Sequence, residues 1–418
     1  FGLRLFALHS YEQEGWSEHP MVDAAVYWQQ AQELAEGADP FSDGYYQPPG
    51  YPWFLSQIIH GTDQASLDTV RRVHLALGMF SCWVVMILGG KLGRARGAPW
   101  LGLLAGLIYG LYPSTILFEH DVLTPALSTA LFLSSMWLLW PRENASLSTV
   151  LAGLSGLLLG FAVVVHPTYL IAVVVLIVAV GLGGRIQRRL GPVLALVTCA
   201  GFALLPTSHQ NHEQFGDFEL VSYNSGLNFY LGNGSNWEET HALEAGLPFR
   251  RLVLDAEPHR RNVSERNDYW WSRSVQEIST DPLGWLSAIA TKAVWSVNRA
   301  ELPRNEDYRC RTEPGDALHW VSFLPVRYGW IFGLACLGTG VAWRERGRLR
   351  VGVVLWISLQ LPMIIFLVAD RYRLASWPVV ALLAALGVHE LARLKARWDS
   401  GWRPGKMAVG LVVMAGLP

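Results

Sequence analysis

Two kinds of side chain stand in this sequence where they could do chemistry together: acidic residues at the mouths of apolar segments, and arginines that interrupt such segments. Asp23 opens the helical pattern "DAAVYWQQAQELA", with Tyr27 one turn later on the same face. In "EHD", Glu119, His120 and Asp121 crowd a second mouth, where ionisable groups are costly. Far downstream, "DRYR" places Arg371 and Arg373 at the end of an apolar run. A positioned carboxylate can take a proton from a hydroxyl, which is a poor nucleophile at neutral pH. An arginine fork matches the oxygens of a phosphate. Asp23 is therefore the first candidate base and Asp121 the second, with helix capping the competing role for each. Arg371 and Arg373 are candidate phosphate ligands, with interfacial snorkelling as their competing role. Lys292, inside the Trp-rich amphipathic run "PLGWLSAIATKAVWSVNRAE" (282–301), could reach an anionic headgroup or the same phosphate. His209, His212 and Glu213 lie close together, but neither an H-E-x-x-H pattern nor a third ligand accompanies them, so a divalent metal is not indicated.

The elements that must position these groups are membrane helices. Of 418 residues, 51% are hydrophobic and only 16% charged, there are 19 Trp, and the mean hydropathy is +0.24. That composition predicts an all-α polytopic membrane protein. Apolar runs long enough for a hydrocarbon core of about 30 Å lie near 73–90, 99–117, 122–140, 149–165, 167–184, 191–206, 325–343, 351–369, 374–392 and 407–418. The connections at 91–97, 141–146, 185–191, 344–350 and 393–406 carry 3, 1, 3, 4 and 5 Lys or Arg, while those near 112–121 and 166–167 carry none. This alternation places the basic loops in the cytoplasm and the long polar segments, about 9–70 and 207–324, outside. The expected organisation is an N-terminal membrane module, 1–206, with the first outer loop and about six visible helices. An outer-face segment, 207–324, with an amphipathic interfacial helix follows, and then C-terminal membrane helices, 325–418. The chain starts at Phe1 and stops inside an apolar run, so a preceding membrane helix is expected. The four cysteines, Cys82, Cys199, Cys310 and Cys336, are widely spaced, and neither a disulfide framework nor a metal knuckle follows from them. Asn233-Gly-Ser235 and Asn262-Val-Ser264 fit the glycosylation triplet, a pattern that also arises by chance.

Between the first polar segment and the first long run stands "YYQPPGYPW" (45–53), three prolines and several aromatics around a glycine. Proline fixes φ and removes N–H donors, and Tyr and Trp favour the interfacial layer. Such a stretch can form a rigid wall at headgroup depth. Tyr46 and Gln47 are expected to point into a cleft shared with Asp23, held by Pro48 and Pro49.

A short acidic helix, this proline turn and a membrane helix together resemble the first outer loop of the C-type glycosyltransferases, which use polyprenyl-phosphate sugars. That superfamily includes the protein O-mannosyltransferases and the aminoarabinose lipid A transferases. The likeness continues in "YPSTILFEHDVLTPAL" (112–127), in "GFAVVVHPTYL" (160–170), in "NHEQFGDFELVSYNSGLNFYLGNG" (211–234) and in "RYRLASWPVVALLAALG" (371–387). It implies a C-type bundle whose outer loops carry short helices, with Asp23 matching the catalytic aspartate of the first loop. It implies substrate contacts for Tyr27, Tyr46, Gln47, His166, Lys292, Arg371 and Arg373. Two positions depart from the family pattern. Ala24 stands where a second acidic residue is common, and His166 where arginine is usual.

The reaction so implied is inverting transfer of a sugar from a polyprenyl phosphate to a lipid, protein or glycan acceptor, on the outer face of a bacterial inner membrane. The required partners are the lipid-linked donor and membrane lipids. Neither nucleic acid nor a nucleotide sugar is expected, since no Walker or Rossmann glycine loop is present. Because of Ala24 and His166, the alternative is a degenerate relative serving as a structural subunit of a larger membrane assembly. A transporter is the third reading, disfavoured by the lack of an inverted repeat.

Overall fold

The computed structural model describes residues 2–13, 17–61, 66–140, 147–182, 189–243, 246–254, 262–304, 317–344 and 348–399. The helices are α1 (Gly2–Glu12), α2 (Asp23–Ala35), α3 (Gly50–His60), α4 (Leu67–Arg94), α5 (Leu101–Gly110), α6 (Pro113–His120) and α7 (Pro125–Leu139). They continue as α8 (Thr149–Val165), α9 (Leu170–Leu182), α10 (Leu190–Phe215), α11 (Ser225–Asn233), α12 (Trp237–His241), α13 (Leu247–Leu254) and α14 (Val263–Thr280). The last six are α15 (Pro282–Val297), α16 (Ala317–Ser322), α17 (Tyr328–Arg344), α18 (Arg348–Ile365), α19 (Asp370–Arg373) and α20 (Trp377–Asp399). A 3-10 turn, Pro167–Tyr169, joins α8 to α9.

This is an all-α integral membrane protein. Among the described residues, α4 and α10 are each long and apolar enough to cross a bilayer alone, and α7, α8, α9 and α18 are shorter apolar helices. The run expected at 99–117 is broken: α5 and α6 meet at a 54° bend. Pro113 explains it, because proline at a first helical position cannot continue the preceding helix. The apolar run at 407–418 and Cys310 lie outside the described residues. α10 runs beyond 206 to Phe215, so the second long polar segment begins as a continuous extension of a membrane helix.

Small residues bring the helices together. Side chains added at Gly156 or Gly160 of α8 would overlap the Leu196 and Ala200 carbonyl oxygens of α10. At Gly338 of α17 and Gly387 of α20 the backbones approach so closely that an added Cβ would overlap the Leu383 and Leu334 carbonyl oxygens. In a bundle with no hydrophobic drive between lipid-facing helices, such close packing supplies the cohesion. At their outer faces Leu154, Phe161, Val174, Val178 and Phe202 stay exposed, as lipid contact demands.

α15 is amphipathic in an inverted sense. Its buried side chains include Lys292 and Ser296, whereas Leu283, Leu286 and Val294 are exposed. A polar face turned to protein and an apolar face turned outward suit a helix lying along the membrane surface. The ends of the bundle differ likewise. The termini of α4, α8, α10 and α18 that adjoin α2, α3 and α11 carry the polar segments, while Lys91, Arg94, Arg189, Arg344 and Arg350 mark the opposite end.

The Gly338 contact yields a test. Gly338→Leu should destabilise the detergent-solubilised protein by about 1–3 kcal/mol, seen as a lowered thermal midpoint. Gly340→Leu, where an added Cβ meets nothing within 4 Å, should leave the midpoint near that of the unaltered protein. Equal midpoints for the two variants would refute this packing.

Candidate functional site

The site is built by three segments that are remote in sequence. α2 packs its Ala24, Tyr27 and Ala31 stripe against α3, with the Tyr27 and Tyr51 rings edge to face at 5.2 Å. Ala24 is 1% exposed, so a carboxylate at that position would be forced into a helix contact. This gives the departure at residue 24 a packing reason. Asp23 sits beside the stripe. It does not cap α2: the capping position belongs to Val22, whose φ of 54° is rare for a β-branched residue.

The second segment is the proline turn. Gly44 has φ 92°, and a Cβ there would lie 2.5 Å from the Phe215 ring. Gly50 abuts the end of α8, where a Cβ would come within 2.8 Å of the Val164 carbonyl. Only glycine lets α3 start so near His166. Tyr45 is buried, donates its hydroxyl to Gln210 and accepts from the Tyr223 N–H at 2.8 Å. Its neighbours Tyr46, Gln47 and Pro48 line the cavity.

The third segment is α19, a single turn between α18 and α20. Ala369 precedes it in extended conformation, and Asp370 Oδ1 accepts the Arg371 N–H at 2.7 Å. The Asp370 N–H itself donates to the Leu302 carbonyl at 3.0 Å, tying the turn to the segment after α15.

These segments enclose a cavity of about 790 Å³. At its polar end Arg371 Nη1 donates to Asp23 Oδ2 at 2.7 Å, and Gln47 Nε2 donates to Asp23 Oδ1 at 2.9 Å. Arg371 Nη2 donates to the Tyr372 hydroxyl at 2.8 Å. Burial disfavours the charge on Arg371, but Tyr372 and Asp23 more than offset it and hold its pKa above the ordinary arginine value. His166, in the connection between α8 and the 3-10 turn, packs its ring edge-on to Tyr372 at 6.0 Å, and its Nδ1 is buried without a hydrogen-bond partner among the described residues. Burial first, and then the positive Arg371, push the His166 imidazole down to about 4. It is neutral at pH 7. On the side of α9 and α18 the cavity is apolar, an arm walled by Leu170, Val174, Leu359, Met363 and, just after α18, Phe366.

Of the residues singled out by sequence, Asp23, Tyr27, Tyr46, Gln47, His166 and Arg371 line this one cavity. The others do not. Arg373 is 0% exposed, pairs with Glu301 at 2.7 Å and donates to the Trp295 carbonyl at 2.7 Å. A shift of two residues on a single turn points it away from Arg371. Asp121 is buried behind the wall, where its Oδ1 accepts the Val122 N–H at 2.8 Å and its carbonyl faces His74. Lys292 is 0% exposed, with Nζ on the Gly232, Ile365 and Phe366 carbonyls at 2.8, 3.1 and 3.2 Å. That cation neutralises the carbonyl ends of α11 and α18, and burial brings its pKa down to about 7. A base and a phosphate ligand would be expected on opposite sides of the reacting carbon, but Asp23 and Arg371 touch. In the glycosylation triplet at 233, the Asn233 amide donates to the Phe229 and Ile365 carbonyls and is buried. His209 meets Glu213 at 3.2 Å on an exposed helix face. Sequence reasoning missed Arg304, which also lines the cavity. The available signal was an arginine on the polar, non-basic side, the same argument that picked out Arg371.

No family model matches the chain, and no curated protein matches it. Solved structures do. The Archaeoglobus fulgidus oligosaccharyltransferase AglB, in complex with an inhibitory peptide and a dolichol-phosphate, aligns over 99% of this chain and 53% of its own, with TM-score 0.51 and 11% identity. The apo form of the Archaeoglobus fulgidus oligosaccharyltransferase gives TM-score 0.52 at 12% identity. This is the C-type glycosyltransferase fold. ArnT from Cupriavidus metallidurans, bound to undecaprenyl phosphate, aligns over 93% of this chain and 77% of its own at TM-score 0.38 and 16% identity. The chain spans about half the length of the archaeal enzymes, 53% in each case. In this C-type bundle the cavity lies where the polar segments meet the helix ends. A carboxylate there can accept a proton, a guanidinium beside it can stabilise an anion, and the apolar arm can take a hydrocarbon chain.

His166 supplies a pH test. Its folded pKa, about 4, lies below the ordinary 6.5, so on acidification the unfolded chain takes up this proton first. Its contribution is present above pH 6.5 and lost between about 6.5 and 4, at no more than about 1.4 kcal/mol per pH unit. His166→Gln should flatten that part of the acid dependence of the thermal midpoint. An unchanged acid slope would show that His166 is not held neutral.

Proposed function

We propose that this chain is a membrane glycosyltransferase that moves a sugar from a polyprenyl phosphate to an acceptor on the outer face of a bacterial inner membrane. The observation that carries the reading is the meeting of Asp23 with Arg371 at the polar end of a cavity whose other arm is apolar. A capping aspartate and a snorkelling arginine have no reason to converge from positions 348 apart. The basic loops at the opposite end of the bundle support the outward placement of the cavity.

In the reaction the acceptor hydroxyl oxygen attacks the anomeric carbon, and its proton passes to the Asp23 carboxylate. The bond from the anomeric carbon to the phosphate oxygen breaks on the opposite face, which inverts the configuration. Polyprenyl phosphate leaves, its charge met by the cationic end of the cavity. Gln47 orients the carboxylate through its amide N–H. His166, being neutral, adds no charge and can accept or donate a hydrogen bond to the sugar. The isoprenoid occupies the apolar arm between α9 and α18.

The competing reading, a structural subunit, calls for a cleft filled by its own side chains, and the open cavity favours the enzyme. The test is transfer from labelled polyprenyl-phosphate sugars in membranes containing the protein. Asp23→Asn keeps shape and removes the base, so the rate should fall by about 10²- to 10⁴-fold. Unchanged transfer would remove Asp23 from the reaction, and no transfer by the unaltered protein with any such donor would favour the structural subunit.

A further inference from the structure

Charge bookkeeping around the cavity singles out a residue that neither the sequence motifs nor the Asp23–Arg371 pair had brought forward. Among the described residues lining the cavity, the charged side chains are Asp23, Arg371 and Arg304. The first two neutralise each other at 2.7 Å. Arg371 is moreover engaged at both ends of its fork, with Nη1 on Asp23 and Nη2 on the Tyr372 hydroxyl, and its buried Nε has no partner among the described residues. Arg304 is placed differently. Its Nη1 donates to the His241 carbonyl at 3.0 Å, which fixes the guanidinium on the α12 end, and no carboxylate pairs with it among the described residues. Burial lowers its pKa below the ordinary arginine value. A half-buried guanidinium without a counter-ion is costly, and an incoming anion relieves that cost.

Resting on the proposed function, we infer that Arg304 is the residue that binds the donor's phosphate, while Arg371 stays on Asp23 as a positioning residue. The remaining N–H groups of the Arg304 fork can take two phosphate oxygens, a geometry that guanidinium supplies and ammonium does not. One phosphodiester carries one negative charge, which balances the one positive charge left unpaired among the described residues lining the cavity. The neighbourhood agrees with this placement. Arg304 lines the same cavity as Asp23, Arg371 and Tyr372, so a phosphate on it enters the compartment that holds the base. Phe249 of α13 and Leu243 also line the cavity, which limits water at the anion. The assignment leaves the Asp23 carboxylate oriented by Arg371 and Gln47 before and after the donor enters, so the base is preorganised and is not uncovered by substrate.

The probe is undecaprenyl phosphate without a sugar, titrated against the purified full chain in detergent and followed by native mass spectrometry. Arg304→Gln should weaken binding at least about tenfold, and Arg304→Lys, which keeps charge but loses the fork, should fall between it and the unaltered protein. Arg371→Gln, which uncovers the Asp23 carboxylate, should weaken binding less than Arg304→Gln does, and the exposed surface control Arg250→Gln should change affinity by less than about threefold. Each variant is first checked for an unshifted elution volume and thermal midpoint. If Arg304→Gln fails that check, Arg304→Lys, which preserves the donor to His241, decides alone. Binding by Arg304→Gln or Arg304→Lys as tight as that of the unaltered protein overturns the inference, as does a loss confined to Arg371→Gln. Absence of binding by the unaltered protein overturns the proposed function instead, and the inference with it. Competition by inorganic phosphate at matched concentration would keep Arg304 as the phosphate ligand and assign the site to free phosphate rather than to a lipid carrier.

Discussion

A carboxylate and a guanidinium that meet inside a mostly apolar wall must be paired, because either alone would be a desolvated charge. That requirement ties Asp23 of the first polar segment to Arg371, which lies between the last two described membrane helices. Holding the pair makes demands in both directions. α2 must be clamped on α3 through Ala24, Tyr27 and Ala31, and the single turn of α19 must be anchored through Asp370 to the chain after α15. The proline turn then closes the gap, since Gly50 can press against the end of α8 and bring Gln47 onto the carboxylate.

The same rule governs the other charges near the helix mouths. Arg4 of α1 pairs with Glu119, Arg373 with Glu301, and Arg71 with Asp68, the Ser17 carbonyl and the His120 carbonyl. Lys292 has no carboxylate among its hydrogen-bond partners and finds helix-end carbonyls instead. These cations tie elements remote in sequence together, so the polar layer and the bundle are joined through buried charges that each have a polar partner. Arg304 is the exception that faces the cavity, and a cation in that position is poised to receive an anion.

Packing and chemistry also share residues. Lys292 neutralises the last carbonyls of α18, and the adjoining Phe366 and Met363 wall the apolar arm. An interfacial helix therefore shapes a cavity to which it contributes no lining side chain. Departures from the family pattern fit the same economy of space: Ala24 is small because its side faces a helix, and the imidazole of His166 lies edge-on to the Tyr372 ring beside Arg371, where a second guanidinium would add like charge.

What the sequence by itself determined was set by solvent. Long apolar runs, basic loops on alternate connections and an amphipathic Trp-rich stretch each report locally how a segment meets lipid or water, so the all-α bundle and an amphipathic helix at 282–297 were legible, but not that its polar face turns inward. Asp23 and Arg371 stood out as charges against an apolar background and Tyr46 and Gln47 as part of a proline-stiffened turn. Tyr27 shared the face of Asp23, while His166 came only from the family resemblance; all six line the cavity. The bend at Tyr112 was not read because an uninterrupted apolar run hides a proline break within one span. Tertiary structure alone decided which charges were paired with each other and which faced the cavity. Arg371 and Arg373 are alike in type and neighbourhood, yet one turn of backbone sends Arg373 to Glu301 and Arg371 to Asp23. Asp121 was drawn to a backbone N–H and Lys292 to carbonyls, while Arg304, unremarked in a polar stretch, came to line the site. Spacing along a chain sets the direction of a side chain only within its own helix. The partner it meets depends on how remote helices pack, and that is a property of the whole bundle.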